Sequence, residues 1–262
     1  MLNQLIDIIT NQSICTVFQP IIEVQNSQII GYEALTRGPE NSIFFSPEML
    51  FKAAIKHGLL SELEILCRDN AIKQFAALQL VGKLFLNISP MVLLNSAHPQ
   101  GTTVKFVEQS GLSCQQIVIE ISEKYPFPQG DILHNALEKY REFGFAVAID
   151  DLGAGYSGLK QWCMLQPDIV KIDRYFVANC DQDQSKQTFL KHLFLLGHNT
   201  DAMVIAEGIE TQAEYELLTE LGMRYAQGFF IARPALQPSK LTILPNFVPT
   251  KRKQLELVYC QG

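Results

Sequence analysis

The sequence predicts a single-domain α/β barrel, and three observations predict it. Short apolar runs alternate with helical segments along most of the chain. The count of such units approaches eight. Polar residues of one chemical kind stand where those apolar runs stop: Glu33 in GYEALTR, Asn87 in LFLNIS, Glu120 in IVIEIS, Asp150 and Asp151 in FAVAIDD, and Glu207 in MVIAEGIE. Repeated strand–helix units imply parallel strands joined by right-handed crossovers. An open sheet gathers its ligands at one switch point, whereas a barrel can present them from many strand ends, which favours the barrel. At 262 residues the chain fits one barrel, although length alone would also allow two domains.

The elements follow in order. Residues 17–24 and 28–35 read as two strands around Gln25-Asn26-Ser27, so the chain opens with a hairpin. Ser46-Pro47 gives a helix start, with Ser as N-cap and Pro in the first turn, and His57-Gly58 gives its end. Ser61 and Glu64 have the spacing of a capping box for the next helix, whose stripe is Leu66, Ile72, Phe75 and Ala76. Strands are expected at 83–88, 116–121, 145–150, 168–172, 202–206 and 224–226. Helical material lies up to Gly111 and over Asp131–Phe143, where Leu133, Leu137 and Tyr140 share a face. Further helices are expected near 157–164, 184–197 and 238–243, and over Thr211–Leu221 with a second capping box, Thr211 and Glu214.

Composition narrows the class. Hydrophobic residues make up 47% and charged residues 18%, enough for a large core. A formal charge of −6 argues against a nucleic-acid polymer as partner unless cations mediate the contact. The N-terminus lacks a basic region, and no stretch reaches the ~20 apolar residues of a membrane span. Six cysteines without a CxxC read as reduced thiols of a cytoplasmic protein. The five histidines form no HExxH, so none receives a role.

The strings FQPIIEV, EALTR, LNIS, EISE, DDLGAGYSGL, DIVKIDR, AEGIET and QGFFIARP occur in this order over roughly residues 14–243. Together they resemble the EAL family of cyclic diguanylate (c-di-GMP) phosphodiesterases. The resemblance implies a modified TIM (β/α)8 barrel with one antiparallel strand, consistent with the opening hairpin. Its phosphodiesterase domain is expected over residues 1–245, with a C-terminal tail over 246–262 that contains Lys251-Arg252-Lys253. It implies hydrolysis of c-di-GMP to linear 5′-pGpG by water activated between two ions of Mg²⁺ or Mn²⁺, with Ca²⁺ inhibiting. This would lower a second messenger in bacterial signalling.

By the same resemblance Glu33, Asn87, Glu120 and Asp150 hold the first ion, Asp150 bridges, and Asp151 and Glu207 serve the second. Lys171 touches the attacking water or the phosphate, and Glu207 is a base as well as a ligand; the sequence does not separate those roles. Gln19 and Arg37 contact substrate, while Gln227 and Glu210 are substrate-binding groups or support the ligands. Glu123 anchors the glycine loop Asp151–Ser157, which would couple a homodimer to metal occupancy. Leu152, Gly158 and Ile121-Ser122 depart from the family's usual residues without touching a ligand position. Two other classes remain open: an EAL domain acting as a c-di-GMP receptor, and a protein-interaction barrel. Sensory or cyclase domains common in the family do not fit in 262 residues, so the chain is a fragment or is controlled in trans.

Each residue also has an ordinary reading. The paired aspartates could cap a turn, Ser89-Pro90 could start a helix, and Lys171 with Asp173 could form a surface pair. Phe229, Phe230 and Trp162 read as core. These separate readings do not explain matched residues on so many strand ends.

Overall fold

The computed structural model describes residues 1–94, 101–122, 130–155 and 158–240. The chain begins with helix α1 (Leu2–Thr10), an element beyond those expected from sequence. It continues through β1 (Cys15–Glu23), β2 (Gln28–Arg37), α2 (Pro47–His57), α3 (Leu60–Ala77), β3 (Lys83–Asn87), α4 (Pro90–Leu93) and α5 (Thr102–Ser110). Then come β4 (Ile117–Ser122), α6 (Gly130–Glu142), β5 (Ala146–Leu152), α7 (Gly158–Leu165), β6 (Ile169–Ile172) and the short α8 (Arg174–Val177). The last elements are α9 (Gln184–Asn199), β7 (Met203–Ala206), α10 (Gln212–Glu220) and β8 (Tyr225–Ala226).

The eight strands close in sequence order. β1 is antiparallel to both its neighbours, β2 and β8, and all other pairs are parallel. The fold is therefore a modified (β/α)8 barrel with one antiparallel strand. Successive side chains on a strand point to opposite faces, so residues two apart share one. Ile21, Phe85, Val118, Ala148, Ile169 and Ile205 fill the barrel interior as one apolar cluster. Two positions further along β3 to β7 stand Asn87, Glu120, Asp150, Lys171 and Glu207. Because β1 runs the opposite way, Gln19 reaches the same rim by preceding Ile21, and it pairs with Glu33 across the hairpin. The floor of the barrel thus sets the orientation of the rim.

A second apolar layer lies between strands and helices, and a third joins α1, α2 and α3 through Leu5, Ile8, Leu50, Ala54 and Leu63. Leu66, Ile72 and Phe75 are buried as expected, whereas Ala76 is half-buried. Trp162 and Phe230 pack in the core. Phe229 does not: it is exposed beneath Arg233, whose guanidinium carbon is 4.4 Å from the ring centre.

The Ser61–Glu64 capping box does not form. Helix α2 stops at Gly58 in the left-handed conformation and α3 begins at once, with Leu59 as N-cap. Ser61 therefore already lies inside the first turn. Glu64 faces inward instead, accepting from Arg68 Nη1 at 3.2 Å and from the Ser89 backbone N–H at 3.0 Å. Residues 238–240 are irregular, and the rest of the helix expected near 238–243 lies outside the described residues, as do Glu123, Tyr156, Ser157, His98, Cys260 and the 246–262 tail. Among the described residues five cysteines are free. Among the described residues no helix is long and apolar enough to cross a membrane.

The Thr211–Glu214 capping box does form. The Glu214 carboxylate also accepts from the backbone N–H groups of Asn179 at 2.8 Å and Glu210 at 2.9 Å. Burial alone would raise its pKa; the backbone donors outweigh it and hold the carboxyl below its ordinary value. A depressed folded pKa contributes stability above the unfolded value of about 4.3 and loses it as pH falls through the folded value. Glu214→Gln should therefore cost about 2 kcal/mol at pH 7 in urea denaturation. The gap to the native protein should shrink below about pH 4; an equal gap at both pH values would contradict this assignment.

Candidate active site

The rim gathers the predicted residues around one side chain. Lys171 is fully buried, and its Nζ lies 2.7 Å from Glu207 Oε1, 2.8 Å from Glu120 Oε1, 3.1 Å from Asp150 Oδ1 and 3.2 Å from Glu33 Oε2. The surface pair with Asp173 is thereby excluded. Asp173 instead caps α8 through the Tyr175 N–H. Burial works to discharge Lys171, but Asp150, Glu120, Glu207 and Glu33 together hold its pKa well above the ordinary lysine value. Burial also pushes the carboxyls of Glu120, Asp150 and Glu207 up, against the opposing pull of Lys171. One ammonium cannot balance so many acids.

Asp150 and Asp151 are consecutive, so a regular strand would send them to opposite faces. Two features bring both to the rim. The β5–β6 register shifts between Ile149 and Leu152, and Asp151 adopts a left-handed backbone with φ of 57°, a conformation aspartate tolerates better than most residues. Ser122 then donates to Asp151 Oδ2 at 3.0 Å. The sequence signalled Ser122 only as a departure from the family pattern.

Two overlapping groups of oxygens result. One ligand atom each from Glu33, Glu120 and Asp150, and one each from Asp150, Asp151 and Glu207, lie within 4.8 Å of one another. Asp150 belongs to both groups. These are hard oxygen donors of the kind divalent cations prefer, and buried Glu120 Oε1 and Asp150 Oδ1 have no hydrogen-bond donor besides their ion pairs with Lys171. With all five carboxylates ionised, one ammonium would leave four negative charges, a charge that two divalent cations would match. The donor set therefore fits such a pair. Asn87 turns its NH₂ toward Glu33 Oε1 at 3.1 Å and Glu120 Oε2 at 3.2 Å. Offering its oxygen requires a half-turn of the amide, whose two ends have nearly the same shape.

Gln19 and Gln227 are buried and joined to the ligands. Gln227 Nε2 donates to Glu33 Oε2 at 2.7 Å and to Gln19 Oε1 at 3.2 Å, and Gln19 Nε2 donates to the Ala232 carbonyl at 3.0 Å. Both glutamines thus orient Glu33. Arg37 stands where β2 continues past Glu33 and donates to the Thr36 carbonyl. It lines a cavity of about 220 Å³ with Glu64, Arg68, Asn87, Ser89 and Ser122. Burial pushes the Glu64 carboxyl up to about 7 despite Arg68. Neither Glu64 nor Arg68 was singled out for the site from sequence, although an i,i+4 charge pair inside an apolar helix face is a readable signal.

Glu210 is exposed and paired with Arg174, which bonds both of its oxygens and also the Gly208 carbonyl at 3.0 Å. Its direct neighbour is thus an arginine on α8. This clasp braces the segment following Glu207.

A closed β/α barrel with an oxygen-rich, cation-compatible cluster on its carboxyl rim is the class these features define. The model of the EAL domain family matches residues 2–234, and the chain belongs to that family. It is 28% identical over 235 residues to PdeB of Escherichia coli K12, a probable cyclic di-GMP phosphodiesterase, covering 88% of this chain and 44% of that protein. The chain thus spans less than half the length of that relative. A standalone EAL protein from Vibrio cholerae O395, solved in a c-di-GMP bound form, matches with a TM-score of 0.78 and 28% identity over 88% of this chain and 95% of that one. Klebsiella pneumoniae BlrP1, in a calcium/cy-diGMP complex, matches with a TM-score of 0.79 and 30% identity over 86% of this chain and 56% of that one. A manganese/cy-diGMP complex of BlrP1 matches equally well by TM-score, 0.79.

Gly208 has φ of 68°, and a Cβ there would fall 2.7 Å from the Arg174 side chain. Gly58 has φ of 70° with open space around it. Gly58→Ala should cost about 1 kcal/mol of backbone strain in urea denaturation, and Gly208→Ala about 2 kcal/mol or more because the arginine clasp must also shift. Equal losses would show that the clasp contributes nothing.

Proposed function

We propose that this protein hydrolyses one phosphodiester bond of c-di-GMP to give linear 5′-pGpG, with a pair of divalent cations as cofactor. The observation that carries the reading is the convergence of Glu33, Glu120, Asp150 and Glu207 on Lys171 at one barrel rim, with Asp151 grouped with Asp150 and Glu207 and with Asn87 alongside. The c-di-GMP complexes of its structural relatives support the substrate class. Glu33, Asn87, Glu120 and Asp150 would hold one cation, and Asp150, Asp151 and Glu207 the other. Bound divalent cations supply Lewis-acid activation of water and neutralise charge at the phosphate. The chain's own groups do the positioning. Lys171 directs its ammonium toward the attacking water or a phosphate oxygen. Glu207 would take the water's proton as well as ligate. Arg37 offers a guanidinium to a phosphate oxygen through charge-assisted bonds. Gln19 and Gln227 hold Glu33 in place. Residues 1–245 form the phosphodiesterase unit on this reading, with Glu123 anchoring the glycine loop and a homodimer as the working form.

Incubation with c-di-GMP and Mg²⁺ or Mn²⁺, followed by chromatography, should give pGpG. Replacement by Ca²⁺ should stop turnover, because a larger ion of looser geometry misplaces the water. Asp150→Asn should abolish product while circular dichroism stays native. Arg37→Ala should raise KM roughly 10- to 100-fold, the range of a charged hydrogen bond, with a smaller change in kcat. Unchanged nucleotide at high protein concentration would refute hydrolysis. Tight binding without turnover would assign the barrel as a receptor instead.

A further inference from the structure

We propose that Lys171 is a built-in counter-cation that competes with the divalent ions for the same carboxylates and so sets both their affinity and the stability of the barrel without them. The inference rests on the two-cation reading above. Its basis is geometric. The Lys171 ammonium reaches oxygens of four acids from four strands or strand ends, all within 3.2 Å. An ammonium has three N–H donors. Four acceptors therefore exceed what directed hydrogen bonds can satisfy, and part of the attraction is purely coulombic. Four of the five acids in the two candidate cation groups are also partners of this lysine, including the shared Asp150.

The competition follows from charge and space. Any cation that draws oxygens of Glu33, Glu120, Asp150 or Glu207 toward itself draws them away from Nζ. Lysine is suited to this role because its charge sits on a four-carbon stem that can shift without moving the strand. The stem leaves β6 directly above Ile169 in the apolar floor, so the ammonium is held inside the ring of acids. Without that positive charge, the buried acids would face each other, with neutral amide donors from Asn87 and Gln227 beside them. Removing one partner of a buried ion cluster is costly because the others stay buried and unpaired.

Thermal melting and Mn²⁺ titration calorimetry, both without nucleotide, test this on the full chain. In chelator, Lys171→Met should melt about 10 °C below the native protein, from the typical cost of an unpaired buried charge and the temperature scaling for a chain of this size. Saturating Mn²⁺ should close most of that gap. Mn²⁺ should bind the variant at least about fivefold more tightly than the native chain, since one repelling charge is gone. Adding Glu207→Gln to Lys171→Met should recover part of the lost melting temperature in chelator. If Lys171→Met is insoluble as purified, refolding by dialysis should succeed with Mn²⁺ and fail without it.

A gap that is absent, or equal in size with and without Mn²⁺, would overturn the proposal, as would weaker Mn²⁺ binding, refolding failure in both buffers, or no recovery in the double variant. A native chain that binds no Mn²⁺ would instead defeat the two-cation reading itself. A native chain that binds Mn²⁺ but does not hydrolyse nucleotide leaves the counter-cation role standing.

Discussion

The constraint on which the structure turns is the crowding of negative charge at one end of a barrel. Five carboxylates are brought to a small region that is partly or wholly removed from water, and among the described residues one ammonium lies with them. Such an arrangement repels itself. It persists because the acids stand on a rigid wall: Glu120, Asp150 and Glu207 each sit two positions after an apolar residue, and those residues interlock as the barrel floor. The fold supplies the rigidity that local electrostatics oppose.

Around that wall, neutral donors complete the restraint. Glu33 is held from two sides, by Asn87 and by Gln227, and the second contact leads through Gln19 to the Ala232 backbone. Asp151 is held by Ser122 from the neighbouring strand. The segment after Glu207 is braced by the Arg174 clasp and by Glu214, while Ile209 is buried and exchanges backbone bonds with Gln227 and Phe230. On the opposite side Glu64 reaches from α3 to the Ser89 N–H, just past Asn87. Each ligand candidate is thus positioned by a group on a different element, which makes the site a product of tertiary structure.

Much of the architecture was legible because it is written with period two. An apolar run that ends on a carboxylate needs no partner information to be read, and the turn Gln25-Asn26-Ser27 signals the opening hairpin, while the single antiparallel strand of the barrel is implied by the family resemblance. The features that escaped depend on contacts distant in sequence. Ser61 and Glu64 have the spacing of a cap, but the tight Gly58–Leu59 connection starts α3 too early for it, and burial beside Arg68 claims Glu64. Gln19 is expected to contact substrate and Gln227 to bind substrate or support the ligands; the bond joining them spans 208 positions and leads to Glu33, a link no local pattern carries. Glu210 is expected to be a substrate-binding or supporting group; its arginine partner comes from α8, a helix too short to announce itself. The bulge that aligns Asp150 with Asp151 depends on strand pairing and has no local pattern. Phe229 is apolar by composition but exposed under Arg233.

The central claim is that these oxygens bind two cations with Asp150 between them. Crystals grown with Mn²⁺ and measured for anomalous scattering address it most directly. The account predicts two peaks on the carboxyl rim, one against Glu33, Asn87, Glu120 and Asp150, the other against Asp150, Asp151 and Glu207. Density for one ion only, or for ions bound away from Asp150, would contradict it.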